Sequence, residues 1–246
     1  GDTNVQPQEP DEVFNDIGSW LGLDALADGS PAVSYYDRTK GGLGFAIGTL
    51  DADSIRWKVE EIDGYPDDNG LDPGDKGTHT DLVITDDGTA WVSYRDETNR
   101  SLRYAKRSTD GTWDTGLGGS GSGASPDVGL WSAIDLDASD NPVIAYYDKG
   151  GEALRVSHYN DGSFSGEVVD EGGVGTYADL MVHDGVEYIA YYDATNGDLK
   201  LAVGTAGNYA IEVVDSEGDV GKWPSINHKD GTFHIAYQDA EHNDLL

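Results

Sequence analysis

The chain has 246 residues, enough to bury a core without covalent staples, and it contains no cysteine, so disulfides and thiolate metal sites are excluded. Forty-seven acidic residues against fifteen basic ones give a formal charge of −32. A surface of that sign repels nucleic acid and anionic lipid, and no apolar stretch is long enough to cross a membrane. Screening by salt relieves such self-repulsion, so the expected setting is secreted or cell-surface, in a saline environment.

Read along the chain, one frame recurs. VSYYD stands at 33–37, VSYRD at 92–96, IAYYD at 144–148 and again at 189–193, and IAYQD at 235–239. The terminal residues Asp37, Asp96, Asp148, Asp193 and Asp239 stand 59, 52, 45 and 46 residues apart. Before each pentapeptide comes an apolar strand opened by Gly-x-ring, and then a turn. Asp-Gly fills that turn at 28–29, 87–88, 184–185 and 230–231, and Ser-Asp-Asn-Pro fills it at 139–142. Asp-Gly between alternating runs is a hairpin signal, because both central positions favour φ > 0. After the pentapeptide come a polar turn, a Leu-led strand and, in most units, a further strand: WKVEEID at 57–63, SGEVVD at 165–170 and YAIEVVD at 209–215.

Four strands in a unit of this length describe a propeller blade. The expected fold is all-β: a single five-bladed β-propeller with four antiparallel strands, A to D, per blade. The blades fall at roughly 17–63, 77–114, 129–170, 175–215 and 221–246. DEVFND at 11–16 matches the missing fourth strand of the last unit and is expected to close the ring.

The frame resembles secreted bacterial propeller repeats of the sialidase-like superfamily, with their DGxxxIxYYD…DLxxA pattern, from about residue 12 onward. Five blades also resemble, in architecture, the tachylectin-type lectins and the arabinanase-like glycosidases. The Asp-Gly pairs are adjacent, unlike the spaced pair of a true Asp-box. The seven arginines, at 38, 56, 95, 100, 103, 107 and 155, form no sialidase-type triad.

Because A and B are antiparallel, the end of B lies beside the start of A. Strand A lines the axis, so its opening rings Trp20, His79, Trp131, Tyr177 and Trp223 are expected to circle one mouth of the channel. Indole faces and neighbouring carboxylates suit the C–H faces and hydroxyls of sugars. The fourth pentapeptide position varies, as Tyr36, Arg95, Tyr147, Tyr192 and Gln238, and this variation predicts exposure and ligand contact. The strand-end aspartates are expected to anchor the following turns. Long D-to-A connections at 63–77 and 114–129 rise on the same face. Within the first, Asp67, Asp68, Asp72 and Asp75 could hold Ca²⁺ with hard oxygen ligands, although no motif requires a cofactor.

No HExxH, GxSxG or P-loop pattern occurs. The leading functional expectation is a secreted, non-enzymatic recognition module for a glycan or another extracellular polymer. One alternative is a glycan-active hydrolase or lyase with an axial carboxylate pair, which a pair confined to one or two blades would favour. Another is a structural or adhesive domain of a larger cell-surface protein, with further domains in the same polypeptide.

Overall fold

The structure, a computed structural model, describes residues 16–52, 54–66, 70, 73–123 and 126–246. It is an all-β, five-bladed propeller of antiparallel strands. Blade 1 holds β1 (Ile17–Ala25), β2 (Pro31–Asp37), β3 (Gly42–Leu50) and β4 (Ile55–Asp63). Blade 2 holds β5 (Lys76–Ile84), β6 (Ala90–Asp96), β7 (Ser101–Arg107) and β8 (Trp113–Leu117). Blade 3 holds β9 (Val128–Leu136), β10 (Pro142–Asp148), β11 (Ala153–Asn160) and β12 (Ser163–Glu171). Blade 4 holds β13 (Val174–His183), β14 (Val186–Asp193), β15 (Asp198–Thr205) and β16 (Asn208–Asp215). Among the described residues blade 5 has β17 (Val220–Lys229), β18 (Thr232–Asp239) and the short β19 (Asp244–Leu245). The closing strand expected at 11–16 lies outside the described residues, apart from Asp16.

The A-to-B turns are of two kinds. Asp184-Gly185 and Asp230-Gly231 are two-residue hairpins with φ > 0 at both positions, as the dipeptide predicts. In blades 1 and 2 only Gly29 and Gly88 take φ > 0. Those loops are longer, with Gly29 N–H donating to the Leu26 carbonyl and Ser30 N–H to the Asp28 carboxylate. The aspartate there caps the turn from its side chain rather than bending its own backbone.

Blades pack through one repeated interface. A Leu or Ile of strand A (Leu82, Ile134, Leu180, Ile226) is buried against the preceding blade, each such burial contributing about 1.5–3 kcal/mol. The glycine that opens strand A lies on the leucine of the preceding blade's strand C. A Cβ on Gly77, Gly129, Gly175 or Gly221 would stand 2.7, 2.9, 2.6 or 2.6 Å from the Cα of Leu43, Leu102, Leu154 or Leu199. The first tyrosine of the pentapeptide donates back to the preceding blade: Tyr94 to Asp63, Tyr191 to Asp170, Tyr237 to Asp215, and Tyr146 to the Ser120 carbonyl, at 2.6–2.7 Å. These tyrosines belong to the frame that ties each blade to the one before it.

Candidate functional site at the axial mouth

Each strand A opens with a backbone distortion. Gly18, Gly77, Gly129, Gly175 and Gly221 have φ between 91° and 111°. Two residues later Trp20, His79, Trp131, Tyr177 and Trp223 have φ between 49° and 58°. Large side chains seldom take that left-handed conformation, and each instance costs on the order of 1–3 kcal/mol. The A–B register breaks at the same place in all five blades. The outcome is a bulge that turns every ring towards the axis.

The rings form a continuous arc. Centroids stand 3.8 Å apart for Trp20–His79, 5.4 Å for His79–Trp131, 4.9 Å for Trp131–Tyr177 and 4.1 Å for Tyr177–Trp223. Together they line a cavity of about 280 Å³ with Thr80, Asp81, Ser132, Asp179 and Ser225. The expected collar is therefore present. His79 is the buried member: burial pushes its imidazole down to about 4, so it is neutral at pH 7. Its Nδ1 accepts the Trp131 backbone N–H at 3.1 Å, which leaves the ring proton on Nε2. The indole N–H of Trp131 is buried with no acceptor among the described residues.

Below the collar lie carboxylates that the sequence reading passed over. Asp81 and Asp179 occupy the same strand position in blades 2 and 4, where blades 1, 3 and 5 have Gly22, Ala133 and Ser225. Burial pushes Asp81 up to about 7, against the N–H groups of Ile134 and Leu82, which stabilise its charge, and the negative charges of Asp179 and Asp135 push the same way as burial. Asp179 is raised, again chiefly by burial, while accepting from the N–H groups of Ile226 at 2.7 Å and Leu180 at 3.1 Å. Asp24 and Asp135, two residues or more deeper in strands β1 and β9, receive Ile84 N–H and Val182 N–H in the same manner. One aspartate thus bridges each pair of neighbouring A strands. The signal for all four was an acidic residue within an otherwise apolar inner strand, as in TDLVI and ADLMV.

The other expected contacts are placed differently. Tyr36, Arg95 and Tyr192 are buried, contrary to the exposure that their variability suggested. Each reaches the residue that opens the next blade: Tyr36 donates to Asp75 at 2.7 Å and Tyr192 to Asp219 at 2.6 Å, while Arg95 pairs with Asp127 and Glu97 at 2.9 Å. All three meet an aspartate across the blade interface, Asp75, Asp127 and Asp219. Tyr147 and Gln238 are half-buried, with Tyr147 5.8 Å from the Trp131 ring. The strand-end aspartates do anchor turns, accepting from N–H groups of Lys40, Asn99, Gly151, Asn196 and His242. Of the suggested Ca²⁺ ligands, Asp67, Asp68 and Asp72 lie outside the described residues, and Asp75 is engaged by Tyr36. Among the described residues no cluster of three or more His, Asp or Glu could hold a metal. No described residue of the two long loops lines the axial cavity.

No family model matches the chain, and no curated protein does. Solved structures do. An α-L-arabinanase from Penicillium chrysogenum aligns at TM-score 0.60 and 13% identity, over 92% of this chain and 76% of that one. A fucose-specific lectin from Aleuria aurantia aligns at TM-score 0.58 and 14% identity, over 95% and 74%. A GH43 β-1,3-galactosidase aligns at TM-score 0.57 and 12% identity, over 89% and 85%. The chain spans 56–58% of the length of another GH43 galactosidase and of two exo-β-1,3-galactanases that it also matches. Identities this low show the fold alone. The preponderance of glycoside hydrolases nonetheless corrects the leading expectation of a non-enzymatic recognition module and leaves the axial-carboxylate alternative better supported. The chain is similar to propellers that act on or bind carbohydrate.

Proposed function

We propose that the protein is a glycan-active hydrolase working at the axial mouth. The observation that carries this reading is the pair Asp81 and Asp179, which breaks the fivefold repeat, lies under an aromatic collar and is held with raised pKa values. Rings of the collar would stack on sugar C–H faces. Asp81, with its pKa near 7, would carry a proton at neutral pH and deliver it to the glycosidic oxygen as the C–O bond breaks. Water would add to the anomeric carbon and leave its proton on Asp179. The neutral His79 and the free Trp131 N–H would orient hydroxyls. Neighbours described as arabinanase and β-1,3-galactanase make arabinan and β-1,3-galactan the first substrates to try.

The test is release of reducing ends from these polymers. Asp81→Asn and Asp179→Asn should each lower the rate by about 10²–10⁴-fold, the usual worth of a general acid or base. Full activity in both folded variants would remove the pair from the chemistry.

A further inference from the structure

Neighbouring blades also meet through charged pairs on their outer strands, and one of those pairs lacks its cation. Between blades 1 and 2, Asp63 pairs with Arg103 at 3.4 Å, and Glu60 takes the fork of Arg107, from Nε and Nη2 at 3.0 Å each. The Trp113 indole N–H donates to the same carboxylate at 2.7 Å. Between blades 3 and 4 the first pair recurs as Asp170 and Lys200, which meet at 2.8 Å. Glu167 stands at the position of Glu60, facing Val156 across the strands as Glu60 faces Phe45. The position of Arg107 is held by Gly204, which pairs with Tyr209 as Arg107 pairs with Trp113. A Cβ on Gly204 would run into the Asn208 carbonyl oxygen, so the tight hairpin there excludes a side chain. Among the described residues Glu167 accepts one hydrogen bond, from the Gly207 N–H at 2.8 Å.

Beside Glu167 the two blades part to leave a cleft of about 510 Å³. Residues of the A-to-B and C-to-D turns line it, so it opens on the face opposite the collar. Its walls include Asp137, His158, Glu167, Val182 and Glu187. Glu187 is 5% exposed at a position where the other blades have Pro31, Ala90, Pro142 and Phe233. A carboxylate is seldom buried at an apolar packing position without a partner. Here His158 Nε2 meets it at 2.9 Å and the Tyr209 hydroxyl donates to it at 2.5 Å. His158 itself replaces Ile47 of blade 1 and Val203 of blade 4. Asp137 is engaged by its own turn, accepting from the N–H groups of Ser139 and Asn141. Glu167 is therefore the carboxylate with acceptor capacity left in a cleft of negative charge. We propose that the cleft binds a guanidinium-bearing ligand, whose planar fork takes the place on Glu167 that Arg107 takes on Glu60. The volume suits a small molecule or one arginine side chain, and the field of a chain at −32 draws cations in. The inference is independent of the chemistry at the axial mouth, which lies on the other face.

The experiment is calorimetric titration of the full chain with agmatine at low ionic strength. One equivalent should bind with a Kd below about 1 mM. Glu167→Gln keeps an oxygen for the Gly207 N–H and should weaken binding by about tenfold or more while leaving the thermal midpoint unchanged. Glu212→Gln removes the same charge at the same strand position of blade 4 and should change the affinity by less than about twofold. Cadaverine, equal in charge but without the fork, should bind about tenfold more weakly than agmatine. In proton spectra the ring signals of His158 should shift on binding, and those of His79 in the axial cavity should not. A Gly-Arg-Gly peptide that binds more tightly than agmatine would make a polypeptide side chain the source of the guanidinium, and one that binds more weakly a free small molecule. The proposal is overturned by no binding up to about 10 mM agmatine. Equal losses in Glu167→Gln and Glu212→Gln, cadaverine binding as tightly as agmatine, or shifts at His79 in place of His158 would each overturn it as well.

Discussion

Blades 2 to 4 and the two end blades carry the same motifs in different surroundings. In the middle of the arc the frame residues are sealed: Tyr94, Tyr146 and Tyr191 are fully buried and the inner-strand leucines are covered. At the ends the same inner-strand positions face solvent, with Trp20, Leu21 and Leu23 exposed on blade 1 and Trp223 on blade 5. The difference teaches that the repeat specifies an interface rather than a blade. A unit becomes well packed only where a neighbour supplies the other half. It also locates the candidate site, because Asp81 and Asp179 stand on β5 and β13, each flanked by blades on both sides.

The contrast can be broken by paired substitutions. Leu180→Ala should cost about 2–5 kcal/mol, as for a buried leucine, and Leu23→Ala less than about 0.5 kcal/mol, both read by denaturant unfolding. Equal costs would mean that Leu23 is covered in solution. Tyr191→Phe removes a bond to the Asp170 carboxylate and should cost about 1.5–3 kcal/mol, whereas Tyr35→Phe should be close to neutral.

A pH series sharpens the same comparison at the axis. Asp81 is raised from 3.8 to about 7, so the folded protein holds its proton more tightly than the unfolded chain. Its stabilising contribution is complete below pH 4 and is lost as pH rises through 7. Asp135 and Asp179 have the same sign. At the rim Glu60 behaves oppositely: burial raises it, but Arg107, Lys58 and Trp113 outweigh burial and hold it at about 2, so its contribution is lost in acid. Asp81→Asn should therefore flatten the decline in stability between about pH 4 and 7, measured as thermal midpoint against pH. An unchanged slope would place the titration elsewhere. The smallest effect expected is a gradual rise in midpoint with salt, as screening relieves the −32 charge.

Much of this was legible in the sequence. The pentapeptide spacing and the turn residues disclosed five antiparallel units, and Gly-x-ring marked the collar before its backbone was known. Three things were hidden. The left-handed φ of Trp20 and its counterparts contradicts residue preference and is imposed by the bulge. Variation at Tyr36, Arg95 and Tyr192 looked like exposure, because their partners Asp75, Asp127 and Asp219 lie in the following blade, where sequence distance conceals the pairing. The axial aspartates were lost among 47 acidic residues, although each interrupts an otherwise apolar inner strand.

The most direct test is hydrolysis of arabinan and β-1,3-galactan by the wild-type protein, Asp81→Asn and Asp179→Asn, followed across pH 4 to 9. The account predicts reducing-end release by the wild type on at least one polymer, falling as pH rises through about 7, and loss of about 10²-fold or more in each variant with the fold retained. Activity in the variants equal to wild type, or release by the wild type no greater than in a protein-free control on either polymer, would contradict it.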